Sequence, residues 1–349
     1  MYFEQYICIS WSTKVKLEKP LSQIKPPADK GELNFRILTI LGLIVAFIQI
    51  SLGGFVRVTD SGMACGDDWP LCDGQLVPAF NFEVFLEYAH RVSGAVLIIL
   101  ILIIFIYAWR LHRNDPWIFK SATAALVFVI AGAGFGAATV FSELGWGFRL
   151  IHLAIAEAVI GSLAFALVGS LNFNNYEINT PAEGSMASGT VYMFGMMLSL
   201  FLLIISGSIM VGLDAGTACG TWPLCNGSLF PQGDTRYSIH MGHRLIGIVV
   251  GVMMLLAFAW IWRMREWITG AGKVAALLFV LMVAQVLLGA VLVWTGFAPG
   301  WRAIHLSGGS LVWLVACVLF AVIFVSRETS SDPEVDVKES STIYGEFSS

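Results

Sequence analysis

Four histidines share one spacing and stand in apolar surroundings. His90 and His152 are reproduced 153 residues later by His243 and His305. An ionisable side chain within a membrane is expensive and by default functional. A single such histidine could simply be hydrogen-bonded between helices. Two on separate helices, at one depth, can instead face each other across a bundle core, which is how bundles build cofactor sites. Paired imidazoles suit the iron of a porphyrin. Zinc would want three or four ligands, and no cysteine sits at the histidines' depth to complete such a set. The pattern predicts two bis-histidine macrocycle sites, His90/His152 and His243/His305.

Charged neighbours fit this chemistry. Arg149 and Arg302 each precede a histidine by three residues, on the same helical face. Arg91 and Arg244 directly follow the other two histidines. Guanidinium groups there can pair with porphyrin propionates or serve as interfacial anchors. Three residues before His90 stands Glu87, but His240 occupies that place before His243. A carboxylate near the macrocycle rim can take protons or stabilise a developing cation. As a bland alternative, Glu87 is an acid favoured by a helix N-terminus. The asymmetry predicts a reacting site in the first half, beside Glu87, and a relaying site in the second. His240 competes with His243 as a ligand, but the repeat spacing and the adjoining arginine favour His243. Glu157, matched by Ser310, is a second intramembrane carboxylate. His112 reads as a solvated loop residue.

The cysteines add a second pattern. Cys65 and Cys72 enclose six residues, and Cys219 and Cys225 enclose five. Both pairs flank a Trp-Pro-Leu-Cys run, and both fall in loops expected on the oxidising side. Two local disulfides bracing lids over the sites are expected, with a metal site as the rival. Cys8 and Cys317 have no partners and read as inert.

These residues need elements to hold them. Trp69, Cys72, His90, Arg149 and His152 recur 153 residues later as Trp222, Cys225, His243, Arg302 and His305. One offset across loops and histidines marks a tandem duplication. The 349 residues are 57% hydrophobic and 13% charged, with a mean hydropathy of +0.78. Runs of about 20 apolar residues recur, enough to cross a bilayer. No basic patch with interleaved aromatics supports nucleic-acid binding. Eight spans are predicted, at 35–57, 87–109, 117–140, 148–171, 189–212, 238–262, 272–294 and 302–326. They must be helical, because backbone groups in lipid are satisfied within the segment. The expected fold is all-α, with eight transmembrane helices in two tandem, pseudo-symmetric four-helix bundles, 35–171 and 189–326. Residues 172–188 are the linker, 1–34 an N-terminal tail without a secretory signal pattern, and 327–349 a disordered tail. Lys and Arg in the 1–34 tail and in the 2–3 and 6–7 connections place both termini in the cytoplasm and the Trp-Pro-Leu-Cys loops outside. The linker has no basic residue and does not add to that bias.

Taken together, the eight spans in two halves, the WPLC loops, Glu87-x-x-His90-Arg91, and Arg-x-x-His at Arg149/His152 and Arg302/His305 resemble the haem A synthase family over residues 35–326. The resemblance implies oxidation of the C8 methyl of haem O to a formyl group, stepwise through a hydroxymethyl stage, with water as a possible oxygen source. It assigns haem O to His90 and His152 and a haem B cofactor to His243 and His305. It makes Glu87 the catalytic acid and matches the family's extracytoplasmic cysteine pair to Cys65 and Cys72. It further implies haem O synthase and terminal oxidase assembly factors as partners and a quinone as a candidate electron acceptor, while the cytoplasmic tails without a transit-peptide pattern suit a prokaryotic plasma membrane. A di-haem b cytochrome exchanging electrons with quinone is the main alternative. A transporter is disfavoured, because Gln49, Glu157 and Gln285 are scattered rather than lining one path.

Overall fold

The computed structural model describes residues 30–79, 81–171, 183–263 and 270–330. They form eight helices: α1 (Lys30–Val58), α2 (Phe82–Leu111), α3 (Pro116–Phe141), α4 (Trp146–Ser170), α5 (Glu183–Gly212), α6 (Thr235–Arg263), α7 (Ala271–Trp294) and α8 (Pro299–Ser330). All eight contain stretches long and apolar enough to cross a membrane, so the chain is a multi-pass membrane protein. The described residues contain no β-strand, only the isolated bridges Cys72–Gln75 and Cys225–Ser228.

The helices begin earlier than the apolar runs alone predict, and at α2 and α3 a polar cap sets the start. At α2, the Asn81 side chain accepts from the Val84 N–H at 2.8 Å, so the helix starts at Phe82 rather than 87. His90 and His243 therefore lie about two turns inside their helices, not one. At α3, Asp115 accepts from the N–H groups of Trp117 and Ile118, and Pro116 fits the first helical position, whose N–H needs no partner. At the other end of α2, His112 is not a solvated loop residue. Its Nε2 lies 3.1 Å from Glu32 of α1, and its ring packs on Phe35. The tail before residue 30, Cys8, most of the linker and the tail after Ser330 lie outside the described residues.

In each half, successive helices pack on one another, and the first also meets the last: α1 meets α4, and α5 meets α8. The two rings join through α4 against α8, α1 against α8 and α4 against α5. Ile160, Leu163, Leu319 and Ile323 are fully buried where α4 and α8 contribute to this core. Apolar side chains such as Ile40, Ile99, Val127 and Phe194 are exposed on the outside, where lipid rather than water would meet them.

The two connecting loops are built alike. Disulfides join Cys65 to Cys72 and Cys219 to Cys225. Asp73-Gly74 and Asn226-Gly227 both take positive φ at two successive residues, the combination that closes a two-residue hairpin. That hairpin pairs Cys72 with Gln75 and Cys225 with Ser228 through reciprocal backbone hydrogen bonds.

Candidate functional site

His90 of α2 and His152 of α4 face each other, with ring centroids 6.4 Å apart and planes at 75°. Two imidazoles bonded to one metal at about 2 Å place their ring centres roughly 6–6.5 Å apart, so this pair has the spacing of two axial ligands. In the second half, His243 of α6 and His305 of α8 line a common cavity of about 370 Å³. Among the described residues, no group of three or more His, Cys, Asp or Glu is arranged to hold a metal ion. Paired imidazoles are thus the ligand sets this chain offers.

Each ring is backed by a glycine on a neighbouring helix. A Cβ added at Gly53 would lie 2.8 Å from His90 Cε1, and at Gly207 3.1 Å from His243 Cε1. At Gly136 and Gly289 the distances to His152 and His305 Cε1 are both 3.3 Å. Sequence reasoning missed these four residues. Their signal was present: Gly136 and Gly289 keep the 153-residue offset, and Gly53 and Gly207 are 154 apart.

Hydrogen bonds orient one ring of each pair. The Gly132 carbonyl accepts from His152 Nδ1 at 2.8 Å. Ser206 Oγ lies 2.8 Å from His243 Nδ1 and donates its own proton to the Leu203 carbonyl, so it accepts from the ring. Both contacts fix the proton on Nδ1 and leave the Nε2 lone pair for a ligand bond. The Nδ1 atoms of His90 and His305 are buried without partners. Their backbones are held instead: Gln49 donates to the His90 carbonyl at 3.0 Å, and Gln285 to that of His305 at 2.7 Å.

The Glu87 carboxylate is buried and fully engaged. It accepts from the Cys65 N–H at 2.8 Å and pairs with Arg91 at 2.6 Å. Arg91 also donates to the Asp68 and Leu71 carbonyls, tying α2 to the first loop. His240 does the corresponding work in α6. It lies 3.4 Å from the Cys219 N–H and contacts the Ala215 carbonyl at 2.9 Å through Nδ1. Its Nε2 lies 3.2 Å from Arg244. Arg244 in turn donates to the carbonyls of Cys219, Thr221, Pro223 and Leu224. The positions match; the charge differs, since a carboxylate neutralises its arginine and an imidazole accepting from one does not.

Arg302 lines the second-half cavity, together with Arg57 of α1. Arg57 and Arg149 each bury an Nε without a partner. Arg57 was not singled out in the sequence, where it reads as an ordinary cation at a helix C-terminus. Glu157 reaches the same cavity from the first half.

Comparison with known proteins places the chain in a family. Residues 36–317 match the model of a family described as cytochrome oxidase assembly protein. The chain is 26% identical to the haem A synthase of Halalkalibacterium halodurans over 294 residues, covering 84% of this chain and 96% of that one. It is 27% identical to the haem A synthase of Alkalihalophilus pseudofirmus, over 83% of this chain and 94% of the relative. For the haem A synthase of Symbiobacterium thermophilum the identity is also 27%, over 73% and 84% of the two chains.

Proposed function

The chain belongs to the cytochrome oxidase assembly protein family, and from that premise we propose that it is a haem A synthase, oxidising the C8 methyl of haem O to a formyl group. His90 and His152 would hold haem O, and His243 and His305 would hold haem B. The 6.4 Å approach of the His90 and His152 rings is the observation that carries the reading. The second cavity, with His243, His305 and Arg302 in its wall, fits a second macrocycle whose propionates meet guanidinium groups. Haem B, when bound, supplies one-electron transfer out of the reaction.

The residues of the chain do the rest. The backing glycines and the bonds to Gly132 and Ser206 set the ring positions. Arg149 and Arg302 neutralise propionates near the outer ends of α4 and α8. Arg91 and Arg244 hold the disulfide-braced loops over the two sites. Conversion of methyl to formyl with water as oxygen source releases four protons and four electrons. Glu87, one turn outward of His90, receives protons or stabilises positive charge developing at the reacting carbon. The setting is a prokaryotic plasma membrane with both termini cytoplasmic. Haem O synthase, terminal oxidase assembly factors and a quinone acceptor are the partners.

One observation favours the alternative, a di-haem b cytochrome exchanging electrons with quinone. Glu87 and His240 hold equivalent loops in equivalent ways, so the carboxylate has a structural task whether or not it does chemistry. Co-expression with a haem O producer separates the two. Formyl haem in the pigment extract, lost in Glu87→Gln, supports the synthase; haem B alone with no formyl product overturns it.

A further inference from the structure

Arg57 belongs to the first half in sequence and to the second half in space. α1 packs against α8 with Gly54 opposite Leu306: a Cβ at Gly54 would come within 3.1 Å of the Leu306 side chain. The two helices run in opposite directions. One turn outward from Gly54 is Arg57, and one turn outward from Leu306 is Arg302, on the matching faces. Both guanidinium groups line the cavity that holds His243 and His305. Arg149 stands in the first turn of α4, a helix that packs on both α1 and α8. None of the ion pairs among the described residues involves any of them. Glu157, the carboxyl in the same wall, bonds to Ser310 rather than to an arginine, so cations outside all of those ion pairs, with the Arg57 Nε buried and unpartnered, call for an anionic group from a ligand.

The duplication sharpens the point. At the 154-residue offset that Gly53/Gly207 and Cys65/Cys219 keep around it, the counterpart of Arg57 is Val211, and Val211 lines the same cavity. The first repeat thus lends a cation to the second site where the second repeat itself supplies an aliphatic side chain. Arg244 adds to this imbalance, because its neighbour His240 replaces the carboxylate that Arg91 has in Glu87.

We infer that Arg57 is a positioning residue for the macrocycle between His243 and His305, binding a propionate across the junction of the two halves and making that iron easier to reduce. This rests on the proposed haem sites. A positive charge beside the ring opposes the ferric state more than the ferrous one. A haem held by His243 and His305 beside Arg57 would thereby be the better electron acceptor of the two sites, which is the direction a relay requires.

The test uses the full chain, purified with haem B in a His90→Ala/His152→Ala background, so that only the second site is read. Bound haem per chain and the midpoint potential are compared for Arg57, Arg57→Met and Arg57→Lys. Arg57→Met is expected to lower the potential and weaken haem retention by about tenfold, the value of one charge-assisted pair. Arg57→Lys should restore the potential more fully than the retention, because lysine supplies the charge without the fork. Unchanged potential and retention in Arg57→Met would overturn the assignment while leaving the haem reading intact. A parent chain that binds no haem removable by His305→Ala would overturn both.

Discussion

Glu157 and Ser310 occupy equivalent places in the two repeats and bond to each other: the Ser310 hydroxyl donates to Glu157 Oε1 at 2.5 Å. The contact ties α4 to α8, where the halves meet. Nearby, the Trp313 indole N–H donates to the Glu157 backbone carbonyl at 2.8 Å. Glu157 Oε2 is buried without a partner, so Ser310 is the carboxyl's hydrogen-bond donor. Deleting one partner of a buried pair costs about 1–3 kcal/mol, whereas replacing both with apolar groups of similar shape costs much less. Ser310→Ala should therefore lower the thermal midpoint in detergent, and Glu157→Met/Ser310→Ala should recover most of the loss. A Ser310→Ala protein as stable as the parent would show that the junction does not depend on this bond.

The glycines behind the histidines make a graded prediction. A methyl at Gly53 meets His90 at 2.8 Å, and one at Gly207 meets His243 at 3.1 Å. Overpacking costs about 1–3 kcal/mol, and here the strain falls on the ring that must point at the metal. Gly53→Ala and Gly207→Ala should each reduce haem bound at their own site by about tenfold, with loss of the low-spin bis-imidazole spectrum. Gly134→Ala, which meets nothing within 4 Å, is the control and should leave both sites unchanged. Equal haem binding in all three would remove any positioning role from the glycines.

The contrast between those glycines and the histidines shows what a sequence can convey. The spans, the two loops and the four histidines were legible because hydropathy, turn residues and ionisable groups carry their own local signals. Gly53 carried none: its importance is the space it leaves for a ring on another helix, and many glycines occur in apolar helices. Arg57 was hidden for a different reason. Its local reading, a cation at a helix end, is sound, and only the packing of Gly54 on Leu306 carries it into the other half. His112 failed similarly, because a loop position in sequence became a contact with Glu32 once α1 and α2 paired. The asymmetry at Glu87 was legible, but the shared loop-holding task, in which Glu87 accepts from the Cys65 N–H and His240 donates to the Ala215 carbonyl, needed coordinates.

Arg244 holds the second loop through four backbone carbonyls, a task suited to a planar fork. Lysine offers a single point of charge and cannot span them. The Cys219–Cys225 disulfide encloses too short a segment to replace these contacts. Arg244→Lys should leave the helices folded while the loop opens more often. Losing about 1–2 kcal/mol of local stability raises cleavage after Leu224 and Leu229, both exposed and neither followed by proline, by about tenfold in limited chymotrypsin digestion. Digestion at the parent rate would show that the disulfide alone holds the loop.

The equivalence of Glu87 and His240 allows structure and chemistry to be separated at one position. A glutamine keeps an acceptor for the Cys65 N–H but discards the charge facing Arg91. A histidine is already accommodated at the corresponding place in the second half, beside an arginine and a disulfide-braced loop of the same design. Glu87→His should therefore keep the first loop anchored and the His90/His152 site able to bind haem, with the fold judged by thermal midpoint and loop proteolysis. If the carboxylate acts on the substrate, formyl haem should nonetheless fall by at least about a hundredfold, the usual loss when a positioned acid or base is removed. Glu87→Asp, which keeps the charge one methylene further back, should retain part of the activity. Full product formation in Glu87→His would reduce Glu87 to the architectural task it shares with His240.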